Sequence, residues 1–253
     1  MIVRFVACVG LFTLVVTPAK AWCSAPMEGF GACRVGVPEH VDESSNADRM
    51  GDLSLPQERI GADRWAHGDL AGALESFRKA FAILDSRARS DPENTELQRG
   101  LSRILTHIAS ILTVTGNREE ARATYSEIFA VEDKLASAIE KAEIKSDGEA
   151  GRRTASAFGN VAWYALLARN PAKALISASQ ALAITPDEPW VRINLAHALL
   201  LLDRAAEAKA LYEQVAAIPN KPWKQIIVED FAKLRKVGVT HSLMPTIEAA
   251  LDR

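Results

Sequence analysis

Histidine is the side chain best suited to acid–base work and metal ligation near neutral pH, and the chain has five: His40, His67, His107, His197 and His241. No two stand at metal-ligand spacing, and there is no H-E-x-x-H pair, so no metal is expected. A hydrolase serine has no G-x-S-x-G elbow to sit on, and no Walker loop is present to hold a nucleotide. Gly29-Phe30-Gly31 begins like a phosphate loop, but no strand precedes it and Arg34 stands where a third glycine belongs. The densest basic spots, Arg87-Ala88-Arg89 and Arg152-Arg153, adjoin acids and lack interleaved aromatics, which reads as solvated surface. With 30 Lys+Arg against 32 Asp+Glu, nothing draws the chain toward nucleic acid. No catalytic residue and no cofactor is expected, and each histidine reads as a packed or surface side chain.

The N-terminus reads as an address. Arg4 precedes an apolar run from Phe5 to Val16, and Ala19-Lys20-Ala21 offers the small-x-small site of a signal peptidase. Residues 1–21 are therefore expected to be a signal peptide cleaved after Ala21, with an uncleaved anchor as the alternative. The apolar run is short for a bilayer-spanning helix, so no membrane insertion is expected after cleavage. The mature chain keeps Cys23 and Cys33, which lie in a Gly- and Pro-bearing stretch. In an oxidising compartment these are expected to form a disulfide, the alternative being two free thiols. The expected location is periplasmic or secreted. Residues 22–52 are polar, carry Pro38 and Gly51, and read as a tail or linker.

Beyond residue 52, alanine, leucine and glutamate dominate and β-branched residues are sparse, which favours helix. One pattern recurs there. Gly68 is followed by Ala73, Phe77 and Ala80, and Gly116 by Ala121, Tyr125 and Ile128. It returns at Ala174, Ala178 and Ala181, closed by Pro186, and again at Ala208, Tyr212 and Val215. Steps of four and three place the last members of each set on one helix face. Seven positions before each turn stands a small residue, Gly61, Ala109, Ala162 or Ala196. Two antiparallel helices approach closely only where one presents Gly or Ala to a large side chain of the other. The pattern resembles the tetratricopeptide repeat, a 34-residue helix–turn–helix unit with small, aromatic, small and Pro positions along its second helix. Ala174 to Ala208 keeps that 34-residue period, whereas Gly68 to Gly116 is 48 and Ala121 to Ala174 is 53, which implies longer helices. One is expected from about Pro92 to Thr115 behind an Asp91 cap, with a charged connection over Lys141 to Thr154. Arg169-Asn170-Pro171 replaces the third turn glycine, and Asn170 suits its left-handed position.

The expectation is all-α: a right-handed α-solenoid of about four tetratricopeptide-type helix–turn–helix repeats over residues 53–222, with a C-terminal capping helix pair over 223–253. The resemblance implies a concave groove lined by the first helix of each unit, and a protein or peptide as partner. On the first helices of units three and four the candidate groove residues are Asn160, Trp163, Arg192, Asn194 and His197. Asn160 and Asn194 are 34 apart; an amide there either grips a peptide backbone or bonds to the adjacent unit and holds the stack. Trp163 and Trp190 are either interface anchors or core. The implied function is a non-catalytic adaptor, scaffold or assembly factor in the cell envelope. The alternative is an accessory subunit of a protease or signalling system. Oligomeric state is not specified by these residues.

Overall fold

The computed structural model describes residues 54–143, 148–219 and 222–251; the candidate signal peptide, Cys23 and Cys33 lie outside them. Among the described residues all regular structure is helical, in ten helices. They are α1 (Ser54–Ala66), α2 (Leu70–Ser90), α3 (Thr95–Val114), α4 (Arg118–Glu143), α5 (Gly148–Leu167), α6 (Pro171–Ile184), α7 (Pro189–Leu201), α8 (Ala205–Ala216), α9 (Trp223–Lys236) and α10 (Met244–Leu251). From α1 to α8 each helix packs mainly on its neighbours in the chain, as a solenoid of helix pairs must; the backbones of α9 and α10 approach their neighbours less closely, and buried side chains such as Ile227, Phe231 and Met244 hold them. None of these helices is long and apolar enough to cross a membrane.

The long repeat spacings of the first half are taken up by α2 to α5, which have 20 to 26 residues where α6 to α8 have 12 to 14. Two boundaries differ from the sequence reading. The third helix is capped by Asn94, whose side chain accepts from the Glu96 and Leu97 amides at 3.2 Å, while Asp91 closes the preceding helix. The charged stretch after Lys141 contributes helix on both sides of residues 144–147, because its Lys, Glu and Ala residues are helix formers that outweigh Gly148 and Gly151.

Close approach sets the pairing within units. A Cβ added at Gly61 would lie 2.9 Å from the Phe77 ring, so α1 and α2 meet at a distance only glycine permits. The equivalent aromatics Tyr125 and Tyr212 are 1% exposed, and the small residues Ala73, Ala121, Ala174 and Ala208 are fully buried. Unit three, with Ala178 in the aromatic position, fills its interior differently. There Phe158 and Val161 of α5 and Val191 of α7 pack around Ala178 and Ala181. Between units three and four the seat is Gly159, where a Cβ would lie 2.1 Å from Trp190 Cη2. The indole lies directly against α5 backbone.

The turns between paired helices need one residue at positive φ. Gly68 and Gly116 supply it in units one and two, at φ 81° and 80°. In units three and four Arg169 and Asp203 take it, at 62° and 60°. Asn170, expected in that position, instead caps α6 by accepting from the Lys173 amide at 3.1 Å, and Pro171 starts the helix.

One buried acid lies between α3 and α4. Glu132 is 7% exposed and accepts a hydrogen bond from Ser102. Burial pushes its carboxyl above the ordinary range; the Ser102 hydroxyl and the Arg99 charge offset part of that. The folded chain therefore holds this proton where the unfolded chain releases it, so the group favours folding in acid and that contribution is lost as pH rises through the folded value.

Gly159→Ala should destabilise by about 1–3 kcal/mol through overpacking against Trp190, read as a lowered urea midpoint, and Trp190→Leu in the same chain should recover part of it. Glu132→Gln should raise the melting temperature at pH 7.5, with the gain shrinking toward pH 4; a gain independent of pH contradicts the assignment.

Candidate functional site

The first helices of units three and four, α5 and α7, carry all five candidate residues. The structure disperses them over several environments. Asn194 is 4% exposed and donates its amide to the Gly159 carbonyl at 3.2 Å, tying α7 to α5 beside the Trp190 seat. Asn160, its repeat equivalent, is half-buried and makes no side-chain hydrogen bond among the described residues. Arg192 is half-buried and donates to the Pro186 carbonyl at 2.7 and 3.1 Å and to Asp187 at 2.8 Å, so it braces the loop that begins its own helix.

His197 is fully buried at the centre of a polar cluster. Its Nδ1 lies 2.8 Å from the Tyr212 hydroxyl and its Nε2 lies 3.4 Å from Asp230 Oδ2. A carboxylate only accepts, so Nε2–H faces Asp230, and in the neutral ring the Tyr212 hydroxyl then donates to Nδ1. Burial, then the Asp230 charge, pushes the Tyr212 phenol well above its ordinary range, which keeps it a donor. The rings of Phe231, Tyr212 and Trp163 surround the imidazole at 5.1, 5.6 and 6.4 Å. An Asp–His–Tyr series has the composition of an acid–base relay. Here neither ring nitrogen reaches solvent, and the series joins α7, α8 and α9.

Trp163, on α5, is 2% exposed and lies 5.4 Å beneath Lys233 Nζ of α9. The chain after α9 continues over the turns. Arg169 donates to the Gly238 carbonyl, and His241 Nε2 lies 3.1 Å from Asp203 Oδ1. The sequence reading has the C-terminal helices close the end of the array. α9 does cover Tyr212 of the last unit, with ring centroids 5.7 Å apart, but it also reaches back to unit three.

The remaining described histidines are local. His107 stacks on Phe77 at 4.6 Å with its edge toward Trp65, and burial lowers its pKa. His67 pairs with the Asp63 carbonyl one turn back, while His40 lies outside the described residues. Among the described residues no group of three or more His, Cys, Asp or Glu is placed to hold a metal ion. The sequence places Arg169 and Asp203 at the third and fourth turns without indicating what their side chains hold, and it does not single out Gly159 or Asp230. The available signal for Gly159 was a glycine inside a helical stretch; Asp230 left none.

Removing the centre of the cluster should be costly. His197→Ala strands the Asp230 carboxylate and empties a ring-lined space, an expected loss of about 3–5 kcal/mol. Arg192→Ala, at a solvent-facing ion pair, should cost under about 1 kcal/mol. Urea unfolding of both variants checks the contrast; equal losses contradict it.

Residues 165–224 match the family model described as tetratricopeptide repeat, a span from the end of α5 to the start of α9. None of the curated proteins compared with the chain matches it. Among solved structures, it is similar to the crystal structure of a thermophilic TPR protein from Thermus thermophilus, at 21% identity over 72% of this chain and 99% of that one, with a TM-score of 0.33. That overlay is too loose to carry weight. The family match does carry weight, together with the recurring small and aromatic seats of the helix pairs. Over residues 165–224 the chain is similar to the tetratricopeptide repeat, and the helix pairs before that span carry the same small and aromatic seats.

Proposed function

We propose that the chain is a non-catalytic protein–protein interaction module whose partner face is formed by the first helices of its units. The observation that carries this reading is the repetition itself. Helix pairs stacked in register present equivalent positions side by side, an extended surface of the kind repeat proteins use to hold another chain. The side chains with chemical potential are otherwise engaged: His197, Tyr212 and Asp230 bond to one another in the interior. On the face itself, Asn160 keeps unused donors and acceptors at a half-exposed position, and Arg192 lies one unit further along. Trp163, Asn194 and His197 belong to the same helices but lie beneath other parts of the chain.

The compartment in this reading is the cell envelope, supported by the signal-like order of Arg4, the apolar run and Ala19-Lys20-Ala21. The role there is adaptor or assembly factor.

A photocrosslinking residue placed at position 160 or 192 in the native cell should capture one defined protein, identified by mass spectrometry. The same residue at exposed Lys209 of α8 should capture it far less. Equal capture from all three positions, or from none, contradicts the reading. The mature chain should begin at Trp22; an intact mass for all 253 residues contradicts cleavage.

A further inference from the structure

Units three and four differ from units one and two at one shared position. The turn residue seven places after the small residue is Gly68 or Gly116 in the first two units and Arg169 or Asp203 in the last two. Positive φ is unfavourable for arginine and less favourable for aspartate than for glycine, so the local backbone gains nothing from the replacement. Both side chains are used in the same way. Arg169 donates to the Gly238 carbonyl, and Asp203 accepts from His241, so two residues 34 apart hold consecutive parts of one C-terminal segment. A second equivalent pair does likewise. Trp163 and His197, each directly after the small residue of its helix, contact Lys233 and the Asp230-Phe231 pair of α9. Four positions in two units thus read one segment in repeat register, the manner in which a repeat array holds a linear ligand.

The attachment also has polar content that a permanent apolar cap does not need. Asp230 carries a carboxyl group into a nearly closed space, and among the described residues the buried Trp223 Nε1 has no hydrogen-bond partner and no side chain caps the start of α9. α9 meets the array through side chains more than through close backbone approach.

The geometry points to a helix-receiving face on units three and four whose resident occupant is α9. The chemistry it accepts is an amphipathic helix bearing an acid, an adjacent aromatic and a cation two residues on, as in Asp230-Phe231-Ala232-Lys233. A partner helix of that type reaches Trp163 and His197 by displacing α9. This rests on the interaction-module reading and adds which face is used and what regulates it.

The test keeps every residue of the chain. A protease site is inserted between Ala216 and Trp223, the purified chain is cut there, and a fluorescein-labelled peptide of residues 223–251 is added. The cut chain should retain its helicity and take up the peptide saturably. The uncut chain should bind at least about tenfold more weakly, because its tethered helix competes at high effective concentration. A peptide carrying Phe231→Ala, or a cut chain carrying Trp163→Ala, should bind about tenfold more weakly than the unaltered pair. Loss of array helicity on cutting, no peptide uptake, or equal uptake by cut and uncut chains each overturns the inference. If any of these occurs while the crosslinker at position 160 still captures its partner, the displacement mechanism fails and the interaction-module reading stands.

Discussion

The structure depends on the distance at which one helix can lie against another. Gly61 beneath the Phe77 ring and Gly159 beneath the Trp190 indole fix that distance within the first unit and between the last two. In both places a single methyl group would occupy space already taken by an aromatic ring. Packed interiors have little slack, so the seat also fixes the register: which side chains share the first-helix face and which fall inside. Asn194 follows from this. Once the Trp190 indole lies on α5, the asparagine one turn further along α7 is brought within hydrogen-bond reach of the Gly159 carbonyl.

Much of this was legible as spacing. The small–aromatic–small steps located the helix pairs, and the excess over 34 residues located the long helices, because side-chain period and helix length are local properties. The candidate site was less legible, for a physical reason. Asn160 and Asn194 are indistinguishable by repeat position, and only the neighbour each one meets separates them: Asn194 finds the bare backbone of Gly159, and Asn160 finds no side-chain hydrogen-bond partner among the described residues. His197 reads as an exposed groove residue until α9, more than 25 positions later in the chain, is laid over it. Its burial is a tertiary property that no local pattern encodes. The turns show the same limit: the motif specifies that one residue takes positive φ, while the choice of Arg169 or Asp203 acquires meaning only from what its side chain holds.

The two halves of the array are consequently unlike. Units one and two turn on glycines whose positions carry no side chain, and their first helices are tied by contacts such as the bidentate Arg103–Glu58 pair at 2.7 and 3.0 Å. Units three and four apply their equivalent positions to the C-terminal segment. The Asp230–His197–Tyr212 series is central to that difference, since it joins the array to α9 through polar groups that each depend on the others for a partner. A cluster of this kind specifies one arrangement closely, and it loses much of its stabilisation when one member leaves.

The central claim, that α9 is a displaceable occupant of the array although its Ile227, Phe231 and Leu234 are buried in the shared core, is tested most directly by native-state hydrogen exchange on the full-length chain. The account predicts that α9 amides exchange through a local opening of lower free energy than global unfolding, while α7 and the units before it stay protected. Exchange of α9 only at the free energy of global unfolding, in step with α7 and α8, would contradict it.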